Sequence, residues 1–284
     1  MTVPPRHRPQ RAGWSLRRES MGLATGLIIL SFLSGCGTFS KLETPERIDR
    51  GYTVILPGIE GKSYLNTRIA KGLVDGGFPG VIEVYDWTAG SVVLFPITLR
   101  HSERNRSEAR KVARKLMDYQ DQHPDQPVHL IGHSGGGGLA VLVLEALPAD
   151  RAISSAILLA PAIAPDYDLR RGLRRTRSGI WNFYSPYDVG FLKAGTTVMG
   201  TIDGQHTSAA GAVGFTIPWG LDKEDRQLYA ARLHQQRYTR KMAESGHLGN
   251  HTGWANRRFV ADWIAPLIHA HASDRTRVAS DGGR

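Results

Sequence analysis

Between residues 51 and 271 the chain alternates short apolar runs with longer stretches whose apolar residues recur at helical spacing. Tyr52-Thr53-Val54-Ile55-Leu56, Val81-Ile82-Glu83-Val84-Tyr85, Val128-His129-Leu130-Ile131, Ala156-Ile157-Leu158-Leu159-Ala160 and Ile180-Trp181-Asn182-Phe183-Tyr184 are the strand candidates. They are nearly continuous in apolar character, as strands covered on both faces are. Between them, Leu65, Ile69, Leu73 and Val74 predict one helix face, ending at Gly76-Gly77. Asn105 is placed to cap a helix that turns Ala109, Val112, Ala113, Leu116 and Met117 inward. Leu228 to Leu233 read as helical, with His234 in the same segment. Phe259, Val260, Trp263, Ile264, Leu267 and Ile268 form the stripe of a last helix that Pro266 should kink. Repeated β–α alternation predicts an α/β domain over 51–271, a mostly parallel sheet with helices on both faces. Residues 36–50 read as a polar tether and 272–284 as a frayed tail.

One strand–helix junction carries chemistry. Gly132-His133-Ser134-Gly135-Gly136 lies directly after the run at 128–131 and directly before Leu139, Ala140, Val141, Val143, Leu144 and Leu147. A tight turn in that position lifts a serine hydroxyl above the sheet's carboxyl edge. Side chains at 132 and 136 would collide with the neighbouring strand and helix. A phosphate cradle is the competing reading, but the Lys-Ser/Thr of a P-loop is missing. A serine hydroxyl needs a base to take its proton and a carboxylate to orient that base. Asp188, after the Ser185-Pro186-Tyr187 turn, is the acid the spacing favours, with Asp166 and Asp168 in reserve. Of the six histidines beyond it, His269 and His271 are in or after the last helix, and His206 lies in a Gly/Ala-rich stretch. That leaves His251, nearer the start of the last helix, as first choice, with His247 as the alternative. An oxyanion hole needs two backbone N–H groups. Gly135 is expected to supply one. The loop Pro57-Gly58-Ile59-Glu60-Gly61 supplies the other, through Gly58 or Ile59.

Ser134 in its elbow, then Asp188, then His251 or His247 resemble the Ser…Asp…His order of the α/β-hydrolase superfamily over about residues 50–270. That resemblance implies an eight-stranded, mostly parallel sheet and hydrolysis through an acyl-serine intermediate, with no metal and no cofactor. The superfamily includes thioesterases, amidases and peptidases, so the fold leaves the substrate open. A carboxylic ester, of a small molecule or a lipid with a short to medium acyl chain, is the expected substrate. An amidase or peptidase with the same triad, or a non-catalytic envelope protein that kept the fold, are the alternatives. The chain departs from the His-Gly-Gly-Gly form of many lipases in its first loop. It also leaves too few residues between the strands at 156–160 and 180–184 for a large lid domain. The long Gly/Ala/Thr-rich segment at 195–220 is expected to wall the acyl pocket, with Phe215, Ile217 and Trp219 as apolar contacts.

The N-terminus reads as a targeting segment of residues 1–35. Arg6, Arg8, Arg11, Arg17 and Arg18 precede an apolar run from Met21 to Leu33, which is shorter than the ~20 residues a membrane span needs. Leu33-Ser34-Gly35-Cys36 resembles the lipobox of bacterial lipoproteins, which implies lipidation of Cys36, for instance with palmitate, and tethering to a membrane of the cell envelope. Cys36 is the chain's only cysteine, which excludes an intramolecular disulfide. Without residues 1–35, five Arg and one Glu go and the formal charge falls from +10 to +6. Much of the excess sits at Arg170, Arg171, Arg174, Arg175 and Arg177, read as a solvated helix face in preference to a lipid-binding patch. There is no zinc-type Cys/His spacing and no nucleic-acid module.

Overall fold

A computed structural model describes residues 42–88, 102–188 and 201–269. The targeting segment, Cys36, His271 and the tail lie outside the described residues. So do residues 195–200 of the expected pocket wall.

The described residues form one six-stranded sheet, and every pairing in it is parallel. The strands are β1 (Tyr52–Leu56), β2 (Val81–Val84), β3 (Val128–His133), β4 (Ser155–Leu159), β5 (Ile180–Tyr184) and β6 (Leu233–Arg237). Their order is β2-β1-β3-β4-β5-β6. Six strands stand here where the superfamily resemblance implied eight. The register is flush at the amino ends, with Tyr52 opposite both Val81 and Val128.

Alternate residues of each strand feed two cores. Val54 and Leu56 of β1 pack with α3 (Ser102–Gln122), through Val112 and Leu116, and with α4 (Gly135–Ala146), through Val141 and Leu144. Ile55 faces the other way, toward Ile69 and Leu73 of α2 (Tyr64–Asp75) and Phe259, Val260 and Ile264 of the last helix. Helices on both faces are what continuous apolar strands require. Helix α4 is buried all round from Gly135 to Leu144, as a helix without a polar stripe must be.

Several local elements differ from what the sequence pattern predicts. Asn105 does not cap α3, which starts at Ser102; it is a buried residue inside the helix. Val74 is exposed, because the buried stripe of α2 runs through Asn66, Ile69, Ala70 and Leu73. His234 is on a strand, since the helix ends at Arg232 and the chain enters β6, where His234 stacks on Trp181 at 4.2 Å. At Pro266, which has no N–H to give the Asp262 carbonyl, the last helix absorbs the defect as a π-helical turn over Val260–Ile264. The segment read as a tether carries a short helix, α1 (Pro45–Ile48). Arg47 holds it to the carbonyls of Gly80 and Phe78, both at 2.8 Å. Among the described residues, no helix is long and apolar enough to cross a membrane.

Topology fixes where a ligand can bind. From β1 the chain moves to one side to form β2, then crosses to the other side of β1 to form β3. The connections leave the carboxyl ends of β1 and β3 in opposite directions, opening a crevice between them. The loop 57–61 and the turn at Ser134 line that crevice.

Candidate active site

Ser134 sits between β3 and α4 with φ 56° and ψ −120°, one of two non-glycine residues with positive φ among the described residues. Such backbone persists only where its surroundings over-determine it. Here the Ser134 N–H donates to the Leu159 carbonyl at 2.9 Å, and the Ser134 carbonyl accepts from Gly137 and Ala162, each at 2.9 Å. The close packing expected of the glycines is present. A Cβ on Gly132 would stand 2.6 Å from the Gly137 Cα, and one on Gly136 would stand 2.6 Å from the Leu56 carbonyl carbon. Real Cβ atoms do not approach so closely, so α4 can dock on β1 only with glycine at 136.

The expected acid and the expected base are brought together. His251 Nδ1 lies 2.6 Å from Asp188 Oδ2, and both side chains are buried. The Ser185-Pro186-Tyr187 turn builds this contact. Asp188 N–H donates back to the Ser185 carbonyl, while Ser185 Oγ donates to the Gly249 carbonyl at 2.6 Å. One hydroxyl therefore ties the acid's turn to the histidine's loop. With its Nδ1–H directed at the carboxylate, His251 is in the tautomer whose Nε2 carries the lone pair. The ring is seated on the elbow: His133 lies with its centroid 4.9 Å away and its Nε2–H donates to the His251 carbonyl at 3.2 Å.

His247 is placed elsewhere, in the core. Its ring is fully buried, 3.9 Å from the Trp254 ring centroid and 5.0 Å from that of Phe259, and its Nδ1 accepts from Gly249 N–H at 3.2 Å. Burial pushes its pKa down to about 3. Asp168 is bound to Arg170 at 2.6 Å, and Asp166 lines a separate cleft with Arg106 and Asp203. His269 Nε2 donates to the Gly76 carbonyl at 3.0 Å, at the far end of α2.

The loop after β1 comes to the serine. A Cβ on Gly58 would be 3.2 Å from the Ser134 Cβ, and one on Gly135 would be 3.3 Å from the Ile59 Cγ2. The backbones of Gly58, Ile59 and Gly135 therefore converge beside Ser134, where two donors are needed. Trp87 holds this arrangement, and nothing in its sequence neighbourhood marked it. Its indole N–H donates to the Pro57 carbonyl at 2.7 Å, and its ring lies 3.2 Å from the position a Gly135 Cβ would take. Glu60 and His133 are the other residues of the site that the motif did not single out. Both were inside quoted motifs, but only burial and proximity show their involvement.

The expected pocket wall is structured where it is described. Phe215 is a core residue, Ile217 is half exposed and Trp219 is 98% exposed, so only the last two present apolar surface. The arginine cluster is wired to the protein: Arg170 and Arg174 bind Asp225 at 2.9 and 2.5 Å, and Arg171 and Arg175 bind the Glu145 and Leu147 carbonyls. Among the described residues, no group of His, Cys, Asp and Glu could hold a metal ion.

No protein-family model matches the chain, and neither does any curated protein sequence. Among solved structures it is similar to TT1662 from Thermus thermophilus, with 12% identity and a TM-score of 0.45, covering 78% of this chain and 89% of that one. It is similar to esterase PE8 at 16% identity and a TM-score of 0.39, covering 80% and 92%. It is also similar to the RedJ thioesterase of prodiginine biosynthesis in Streptomyces coelicolor at 14% identity and a TM-score of 0.39, covering 89% and 97%. Likenesses of this size decide nothing about activity, and the functional reading rests on the geometry of the site.

Proposed function

We propose that the chain is a serine carboxylester hydrolase working through an acyl-serine intermediate. The observation that carries this reading is the buried His251–Asp188 pair at 2.6 Å, packed against His133, the residue that precedes a serine on a positive-φ turn. Ser134 Oγ attacks the ester carbonyl carbon as its proton passes to His251 Nε2, and Asp188 stabilises the imidazolium. The carbonyl oxygen becomes an oxyanion held by the N–H groups of Gly135 and of Gly58 or Ile59. Collapse breaks the bond to the alcohol oxygen, which leaves with the proton from His251. Water then repeats the sequence on the acyl-enzyme and releases the acid. Short to medium acyl esters or lipid esters are the substrates this reading takes, with Ile217 and Trp219 as exposed apolar side chains that an acyl chain could cover.

The test is labelling with a fluorophosphonate, mapped by mass spectrometry. The adduct is expected on Ser134 and absent in Ser134→Ala; an unlabelled wild type rejects the reading. A panel pairing esters with the matching amides then separates an esterase from an amidase that shares every residue named.

We further propose that Cys36 carries a lipid that anchors the enzyme in the cell envelope. The basic stretch, the short apolar run and Leu33-Ser34-Gly35-Cys36 support this. Radiolabelled palmitate is expected to enter the wild-type protein and not Cys36→Ala, and an unlabelled wild type rejects the anchor.

A further inference from the structure

The loop after β1 brings a carboxyl group into the site that the triad does not use. Glu60 follows Gly58 and Ile59, and its side chain turns inward, 16% exposed. Its Oε2 lies over Gly58, where a Cβ would collide with it. Its Oε1 lies 4.0 Å from His133 Nδ1, and both atoms are buried without a hydrogen-bond partner. Because His133 Nε2–H donates to the His251 carbonyl, Nδ1 is left as a bare acceptor. An ionised Glu60 would set two acceptors against each other in a buried space, which is costly for both. One proton on Glu60 makes them a donor and an acceptor, and closing the gap takes about 1 Å of movement by a flexible carboxyl.

We propose that Glu60 is a positioning residue that works as a neutral acid: protonated, it joins the 57–61 loop to the His133–Ser134 elbow, and ionised, it shuts the site. This rests on the acyl-transfer reading above. A carboxylate over Gly58 would compete for the N–H groups meant for the oxyanion and repel the negative charge that forms there. The surroundings favour the neutral form. Burial pushes the Glu60 carboxyl up, while the Glu60 amide, His251, the Gly58 amide and the Asn66 side chain on α2 pull it partly back. His133, facing it from β3, is itself held neutral, pushed down to about 3 by burial and by the charge on His251. Among the described residues, other ionisable groups nearby are Asp188, behind His251, and Asp86, on the far side of Gly61 with the Lys62 amide.

The experiment is the pH profile of kcat/KM for full-length protein on a soluble ester, with Ser134→Ala as the blank at each pH. The wild type is expected to fall about tenfold or more on the alkaline side as Glu60 ionises. Glu60→Gln keeps a donor for His133 and has no proton to lose, so its activity should stay within about twofold across that alkaline range. If Glu60→Gln does not fold, Glu60→Asp is read instead, and its alkaline limb should move by at least half a pH unit. A wild type with no alkaline fall, an unchanged fall in Glu60→Gln, or an unmoved limb in Glu60→Asp overturns the proposal. Fluorophosphonate labelling of Ser134 in the same samples separates the two ideas. A labelled serine with an unchanged profile removes only the role of Glu60, whereas an unlabelled one removes the hydrolase reading and this proposal with it.

Discussion

His251→Ala is expected to lower kcat/KM for an ester by about 10⁴- to 10⁶-fold, the range in which removal of a triad member falls, an effect far larger than the loss of stability from leaving the buried Asp188 unpaired. His247→Ala is expected to do the reverse. The two residues are four apart and flank Leu248-Gly249-Asn250, yet their surroundings differ in kind. His251 spends its Nδ1–H on a buried carboxylate and packs on His133, at the carboxyl end of β3. Its removal takes away the base and leaves Asp188 without its partner. His247 fills a space bounded by Trp254, Phe259 and Tyr238, and presses on the backbone at Gly253. Truncating it opens a cavity among aromatic rings at a cost of about 2–4 kcal/mol, with most activity per folded molecule retained. Urea melts and steady-state kinetics on both variants read the two effects separately. Equal, small losses of activity in both would remove histidine as the base.

Why the elbow was legible and its surroundings were not has a physical basis. Strands β1 to β5 are covered on both faces, so each is an apolar run, and the turn between β3 and α4 admits only small residues at 132 and 136. Those constraints are local and leave a mark on the sequence. Among the described residues strand β6 pairs with β5 alone, and it is half exposed along Leu233-His234-Gln235-Gln236-Arg237, so no apolar period announces it and the helical pattern before it continues. His251 and His247 could not be separated by position, because the deciding contact crosses 63 residues to Asp188. Trp87 is legible only as a large apolar residue; its role depends on where the Pro57 carbonyl ends up. Glu60 is the hardest case. A glutamate in a glycine-rich loop normally points to water, and only the fold turns this one toward Ser134.

Acid is expected to destabilise the protein at pH values above the ordinary carboxylate range, and His133 and His247 are the reason. Both are buried neutral, with pKa values pushed down to about 3 from an ordinary 6.5. Unfolding returns them to water, where they bind protons below pH 6.5, so in this range the unfolded state holds more protons than the folded one. Stability is therefore at its plateau above about pH 6.5, falls as the pH drops below that value, and stops falling only near pH 3. Each group costs up to about 1.4 kcal/mol per pH unit inside the window. The pair together removes roughly 3–4 kcal/mol between pH 7 and pH 5, against a total that for most domains is about 5–15 kcal/mol. Glu60 and Glu145, whose carboxyls burial pushes up, act with the opposite sign above their ordinary range and soften the slope. The measurement is urea unfolding at pH 7, 6 and 5, with the proton uptake on unfolding taken from calorimetry in two buffers. His247→Gln should cut both the slope and the uptake by close to half, since one of the two buried imidazoles is gone. A stability that stays level from pH 7 to pH 5 would show that these rings are not held neutral, and with it the assignment of His133 as a bare acceptor facing Glu60 would fall.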